Sequence, residues 1–368
     1  MPFILPPYHE PDFTRPAFKK APIVTFKPVV KNGVAPDNYH ATSIYPEYFQ
    51  IKKNNWQLLT ESRMDCVVVL NPDNTLQARE FRHLKEGDRV ASGRRENGED
   101  GIFVHVDAFS LPDRPADKFA FRSQRTRETS FSIDYDELYG LLEHERRHGY
   151  IVWVLGPAVA FDHDSRQAFS VLIEKGFVHA LLAGNALAVH DVEGAVSGTA
   201  LGQEIYSKRP VPLGHYKHLD AINRIRSAGS IAGGISGGLV REGIMHAAIK
   251  KKIPFILAGS IRDDGPLPDV IGDVYRAQDE MRAIVRRATT VIALATQLHA
   301  IAAGNLLPCY TVKAERIRPI YFYMVDMSEY AVSKLSDRGS LTARAILTNV
   351  QDFVVTVERG LRKSRGTC

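Results

Sequence analysis

The sequence predicts a doubly wound, mainly parallel α/β sheet with a smaller β-rich domain at its N-terminal side. Four apolar runs carry most of this reading: IVWVLGPAV (151–159), VHALLAGNA (178–186), IPFILAGSIRDDGP (253–266) and TVIALATQLHAIAAGN (290–305). Each stops abruptly on a small or polar cluster, and a fifth, IYFYMVDMSEYAVSKL (320–335), ends on a single acid, Asp326. Helical stretches separate them, and short buried strands alternating with helices are how a parallel sheet reads from sequence. In such sheets ligands bind beyond the carboxyl ends of the strands. A cofactor-binding enzyme is therefore expected.

Residues 1–28 are proline-rich and without period, and read as an extended arm, one that could wrap a neighbouring subunit. From 29 to 125 the signals are short strands and turns. MDCVVVLNPDNTLQAREF reads as strand, Asn-Pro-Asp-Asn turn, strand, and RVASGRRENGEDGIFVHV as a second such pair. A connecting helix is expected at 132–149, within 126–150, with Gly149 beyond its end. The α/β domain then runs from 151 to 358. Its helices are DSRQAFSVLIEKG, a stretch after Asn185, LDAINRIRSAG, LVREGIMHAAIKKK and DVYRAQDEMRAIVRRA. A basic tail, 359–368, closes the chain.

The bulk figures fit an ordinary globular protein, with 44% hydrophobic and 24% charged residues in 368 and a net charge of +5. Cations are dispersed among acids outside RSQRTR (122–127) and the tail, so nucleic acid is not the expected partner. Cys66, Cys309 and Cys368 support neither a disulfide framework nor a zinc pattern. No apolar stretch reaches the roughly 18 residues of a membrane span, and no secretory signal opens the chain. A cytoplasmic, homo-oligomeric enzyme acting on a small molecule is the expectation.

Among candidate sites, no Gly-x-Gly-x-x-Gly follows a predicted strand. The stretch SIAGGISGGLVREG (230–243) lacks both the Lys-Ser/Thr of a phosphate loop and the strand that a Ser236 nucleophile would need, and reads as an inter-helix loop. Asn185 and Ala186 end the second run, where a short amide can meet a ligand or cap a helix. Arg262, Asp263, Asp264 and Asp269 fall on one loop behind a buried strand. Charges there pair with a ligand or with one another. Thr296 and Gln297 are polar groups at a strand end, with His299 two residues on. His190, His215 and His218 are scattered, and HYKH offers two imidazoles at i, i+3. No carboxylate or Cys partner has suitable spacing, so no metal is expected. Asp326 could accept both hydroxyls of a ribose, favouring NAD over NADP, or cap the helix that follows.

AGNALAVHDVE, LGHYKHLDAINRIRSAGS, AGSIRDDGPLPDVI, LATQLHAIAAGNLLP and SKLSDRGS occur in this order. Together they resemble the archaeal-type ornithine cyclodeaminase family. That family also forms the C-terminal part of bifunctional arginine dihydrolase/ornithine cyclodeaminase proteins and carries a lysine-ketoglutarate reductase/saccharopine dehydrogenase conserved region. The resemblance covers about 30–355. It implies a Rossmann-like domain holding NAD without the glycine fingerprint. The implied contacts are Asn185, Ala186, Asp263 or Asp264, Thr296, Gln297, Leu298, His299, Asp326, and Asp337 with Arg338.

The implied reaction converts ornithine to proline and ammonia without net redox change. Arg262 would then hold the α-carboxylate, Asp264 or Asp269 the distal ammonium or a proton, and His190 and His299 would be the other proton-transfer groups. Two rivals remain at this level: an opine- or saccharopine-type dehydrogenase, and a non-catalytic NAD-sensing module. Three departures from the family pattern stand out. A short Pro-rich arm stands where relatives carry a longer N-terminal domain, GGISGGLVREG is unusually Gly-rich, and IYFYMVDMSEYA replaces an Asp-Ile-Asn-Pro type turn.

Overall fold

The computed structural model describes residues 3–109, 132–328 and 343–363. The basic stretch 122–127, Asp337, Arg338 and the last five residues lie outside this set. Among the described residues a seven-stranded, wholly parallel sheet dominates. Its strands are β1 (Ile151–Leu155), β2 (Ala180–Gly184), β3 (Phe255–Ala258), β4 (Val270–Ile271), β5 (Thr290–Leu294), β6 (Tyr321–Asp326) and β7 (Ala343–Leu347). They lie in the order β4-β3-β2-β1-β5-β6-β7. The chain builds outward from β1 on one side, then returns to β5 on the other, so strand order reverses between β1 and β5. That reversal is where an open parallel sheet forms a ligand crevice.

All five residues of β1 and of β5 are buried, as expected of central strands covered on both faces. Trp153, Leu155, Leu181, Ile292 and Tyr323 face one core, and Val152, Val154, Leu182, Val291 and Phe322 the other, following the two-residue period of a strand. The first face is covered by α1 (Ser132–His148), α2 (His163–Glu174), α3 (Asn185–Ser197), α4 (Gly214–Ala228), α5 (Ile231–Ser236) and α6 (Ile244–Lys250). The second is covered by α7 (Val274–Val285) and α8 (Gln297–Leu306), while α9 (Val350–Lys363) returns to the first. Register aligns the strand ends: Leu155 lies opposite Leu294 and Ala183, and Gly184 opposite Ala258.

Several expectations shift. The 230–243 stretch holds helix α5, because Ser230 accepts the Gly233 amide and caps it. The predicted helix LVREGIMHAAIKKK begins only at Ile244, since Gly243 has φ +105° and interrupts it. Strand β4, a hairpin of Tyr310–Lys313 with Arg316–Pro319, and β7 with α9 add elements the apolar runs did not announce.

The N-terminal region forms two antiparallel sheets. One orders Thr25–Pro28, Arg89–Ser92, Val67–Leu70 and Leu76–Arg79, and the other Asn55–Leu58, Glu47–Lys52 and Ile102–Val104. The predicted pair within 89–106 is thus split between sheets. Asp100 takes the Arg94 and Arg95 amides and the Arg95 guanidinium, which folds the intervening loop back on itself.

The Pro-rich arm packs on its own chain. Phe3 lies 5.3 Å from the His144 ring and 5.7 Å from Tyr321, the Tyr8 hydroxyl is 2.5 Å from that of Tyr48, and Phe13 stacks on Trp56 at 4.8 Å. Arg82 reaches Asp279 of α7 at 2.6 Å, tying the β-rich sheets to the parallel one.

Candidate functional site

A cleft of about 700 Å³ opens at the carboxyl ends of β1, β2, β3 and β5. Its floor is made where three of these strands run into glycine. Gly156, after β1, donates its amide to Leu294 O at 2.8 Å, and a Cβ on it would lie 2.6 Å from the Ala295 carbonyl carbon. Ala295 itself sits at φ +47°, a strained value for a residue with a side chain. At Gly184, the end of β2, a Cβ would lie 2.8 Å from His299 Cε1. The imidazole therefore lies directly against bare backbone.

Two helices start at this floor. Helix α3 begins at Asn185 behind Gly184, and α8 begins at Gln297 behind Thr296. Neither is capped by the side chain of its N-cap residue. First-turn amides and the positive end of the helix dipole thus face the cleft at two points, which suits an anionic group such as a phosphate. Asn185 is buried, and its Oδ1 accepts the Leu267 amide at 3.1 Å, pinning the charged loop to α3.

Within that loop Asp263 turns inward on its own backbone. Its Oδ2 accepts the Ser260 amide at 2.8 Å, while Ser260 Oγ accepts the Arg262 amide at 3.1 Å. Arg262 lines the cleft with an exposed side chain. His299 Nδ1 lies 3.1 Å from Thr296 Oγ1. Burial pushes the His299 pKa down, against the pull of Asp263 and with the push of Arg262, so the ring is neutral at neutral pH.

The cleft thus gathers Asn185, Ala186, Arg262, Asp263, Thr296, Gln297, Leu298 and His299. Asp264 stands exposed on the same loop, outside this lining. Asp269 faces elsewhere, with Oδ2 accepting the Ile231 amide at 2.9 Å at the start of α5. Asp326 ends β6, one strand beyond β5, and accepts the Ser328 amide at 2.8 Å. The sequence reading missed Gly156, Gly184, Gly259, Ser260 and Ile261 as lining residues. A signal existed: glycine follows or ends the apolar run in LGP, AGN and AGS alike.

His190 lies outside the lining, on α3. Its Nδ1 is 3.3 Å from Glu193 Oε2, and His218 Nδ1 approaches the same oxygen at 3.2 Å. Burial alone would raise the Glu193 carboxyl, but hydrogen bonds from His190, His218, Gly202 and Thr199 outweigh it and hold the group ionised. Arg166 and Asp191 form a second buried pair at 2.7 Å. Asp191 also accepts the Ile244 and Met245 amides, locking α2, α3 and α6 together.

A seven-stranded parallel sheet, a crevice at its point of reversal and two helix starts facing that crevice define a Rossmann-fold ligand-binding protein. Residues 139–357 match the family described as arginine dihydrolase ArgZ-like, C-terminal, Rossmann fold. The chain belongs to this family and, with it, to the archaeal-type ornithine cyclodeaminases. It is 37% identical over 348 residues to the ornithine cyclodeaminase of Methanocaldococcus jannaschii, covering 92% of this chain and 78% of that protein.

The crystal structure of a conserved LOR/SDH protein from Methanococcus maripaludis S2 superposes with a TM-score of 0.84 at 35% identity, over 94% of this chain and 99% of that one. AgrE, a bifunctional arginine dihydrolase/ornithine cyclodeaminase of Nostoc, is 35% identical over 92% of this chain and 46% of its own length. A ternary complex of AgrE with ornithine and NAD+ superposes with a TM-score of 0.60 at 32% identity, over 95% of this chain and 47% of that one. No helix among the described residues is long and apolar enough to cross a membrane.

Proposed function

We propose that this protein is an NAD-dependent ornithine cyclodeaminase, converting ornithine to proline and ammonia. The observation that carries the reading is the cleft itself. It sets uncapped starts of α3 and α8, a glycine floor, the exposed Arg262 guanidinium and the neutral His299 imidazole around a single space. A dinucleotide suits this donor set: the helix starts would take its phosphates, above a floor where Gly156 and Gly184 let Ala295 and His299 close onto the strand ends. Asn185, Ala186, Thr296, Gln297, Leu298 and His299 would hold it, with Asp326 for a ribose diol.

When bound, NAD supplies a hydride acceptor at Cα of ornithine and returns the hydride at the end, so the net reaction is redox-neutral. The chain's own residues orient the substrate and move protons around that exchange. Arg262 clamps the α-carboxylate with a bidentate fork. Oxidation at Cα requires a proton to leave the α-amine, and His299, neutral and in the cleft with Arg262 and Asp263, would accept it. The δ-amine then attacks the α-imine within the same molecule and ammonia departs. Binding in the cleft would hold the two ends of the substrate within reach of each other. Asp264 remains the candidate for the δ-ammonium, while Asp269 holds the loop through the Ile231 amide.

The test is to incubate the purified protein with L-ornithine and a trace of NAD. Proline and ammonia should form in equal amounts with no growth of NADH absorbance. Steady NADH accumulation, or a requirement for a keto acid, would refute the cyclodeaminase reading in favour of a net dehydrogenase. The same reading makes the protein a cytoplasmic homo-oligomer, to be measured by light scattering and fractionation.

A further inference from the structure

Outside the cleft, the side chains of His190, Glu193 and His218 converge from two helices, α3 and α4. His190 and Glu193 are one helical turn apart on α3, the spacing that puts two side chains on one face. Glu193 is fully buried, His190 is 5% exposed, and His218, in the first turns of α4, keeps 29% of its side chain exposed.

Counting lone pairs shows that hydrogen bonds alone do not account for this geometry. Each carboxylate oxygen has two acceptor positions. Oε1 of Glu193 fills both, with Thr199 Oγ1 at 2.8 Å and the Gly202 amide at 3.0 Å. Oε2 accepts the Leu201 amide at 3.0 Å, leaving one position. Two imidazole nitrogens nevertheless face that position, at 3.3 and 3.2 Å. Those separations are long for charge-assisted bonds of about 2.7–2.9 Å. They match the edge, about 3.3–3.4 Å, of a tetrahedron with metal–ligand bonds of about 2.0–2.1 Å.

We propose that His190 Nδ1, Glu193 Oε2 and His218 Nδ1 form a binding site for a divalent transition metal of the zinc class. All three donor atoms lie within 4.8 Å of one another. Two imidazoles and one carboxylate suit zinc rather than magnesium or calcium, which take oxygen ligands. One cation would replace two competing donors at Oε2 and turn both Nδ1 lone pairs inward. The Thr199 hydroxyl and the Leu201 and Gly202 amides already orient the carboxylate, as outer partners do in metal sites. The exposed edge of His218 would be the entry path for the ion and for a water as fourth ligand. The ion would clamp α4 to α3 and to the 199–202 turn.

The experiment uses the full chain, stripped with a chelator and titrated with Zn2+ alone, without NAD or amino acid. Native mass spectrometry and elemental analysis after desalting should show one zinc per chain. Co2+ in its place should give the strong visible absorption of a tetrahedral complex. His218→Gln, on the exposed start of α4, and Glu193→Gln should each weaken zinc binding about tenfold or more. Glu193→Gln also loosens the 199–202 turn, so His218→Gln with an unchanged circular dichroism spectrum is the deciding variant. No stoichiometric zinc in the parent, or equal zinc in His218→Gln, overturns the site. Neither result depends on whether ornithine is turned over.

Discussion

Gly156→Ala should damage both stability and cofactor binding, because the added methyl meets backbone. Its Cβ would stand 2.6 Å from the Ala295 carbonyl carbon, about 0.8 Å short of ordinary contact, and 3.1 Å from Leu294 O. Neither atom can swing aside as a flexible side chain could. Strands β1 and β5 are locked in register, and Ala295 already holds φ +47°. Overpacking of this kind costs about 1–3 kcal/mol. Separating the strand ends would also lose the 2.8 Å bond from Gly156 N to Leu294 O, worth about 0.5–1.5 kcal/mol. With an unfolding entropy of about 2.1 cal/mol/K per residue, the combined loss lowers Tm by about 2–6 °C. Differential scanning fluorimetry checks this, and titration with NAD should show affinity down about tenfold or more, since the floor of the cleft has moved. Gly272→Ala is the control, because a Cβ there meets nothing within 4 Å. A Gly156→Ala protein with parental Tm and parental NAD affinity would refute the close approach and the role given to it.

Three further outcomes are expected. Arg262→Ala should raise KM for ornithine by about 10–100-fold while NAD binding holds, as befits loss of a carboxylate clamp on an exposed side chain; steady-state kinetics beside an NAD titration separates the two. Asp326→Ala should weaken NAD and narrow its advantage over NADP without unfolding the protein, whereas unchanged NAD affinity would leave Asp326 only its bond to the Ser328 amide. The third concerns pH. The folded His299 has a lowered pKa, so the unfolded chain binds its proton first, at about 6.5. Stability should therefore fall as pH drops through that value and level off below the folded one, and His299→Gln should flatten that slope in urea melts at successive pH values.

The parallel sheet was legible because its central strands are buried on both faces and so read as continuous apolar runs. Strand β4 was not, since Val270–Ile271 is two residues at the foot of a charged loop, paired only through Leu257 and Ala258. Most of the cleft was legible as well, because parallel strands deliver their following residues to one edge. Side chains that meet across the fold were hidden. Asp269 looked like a substrate ligand until the Ile231 amide, 38 residues away, took its oxygen. His218 lacked a carboxylate partner in sequence, and Glu193, 25 residues earlier, supplies one in space. Nothing in local pattern encodes such pairs, because register within helices says nothing about which helices touch.

The arm has a thermodynamic consequence. Within its first thirteen residues it touches α1 and β6 through Phe3, the Tyr48 strand through Tyr8, and Trp56 through Phe13. Unfolding either the antiparallel sheets or the parallel sheet strips that segment from the other. The two regions should melt as one cooperative unit, with calorimetric and van't Hoff enthalpies in agreement. A proteolytic cut between Phe3 and Tyr8 would sever that bridge and leave ties such as Arg82 to Asp279 to couple the sheets, so the transition should move to lower temperature while every strand stays in place.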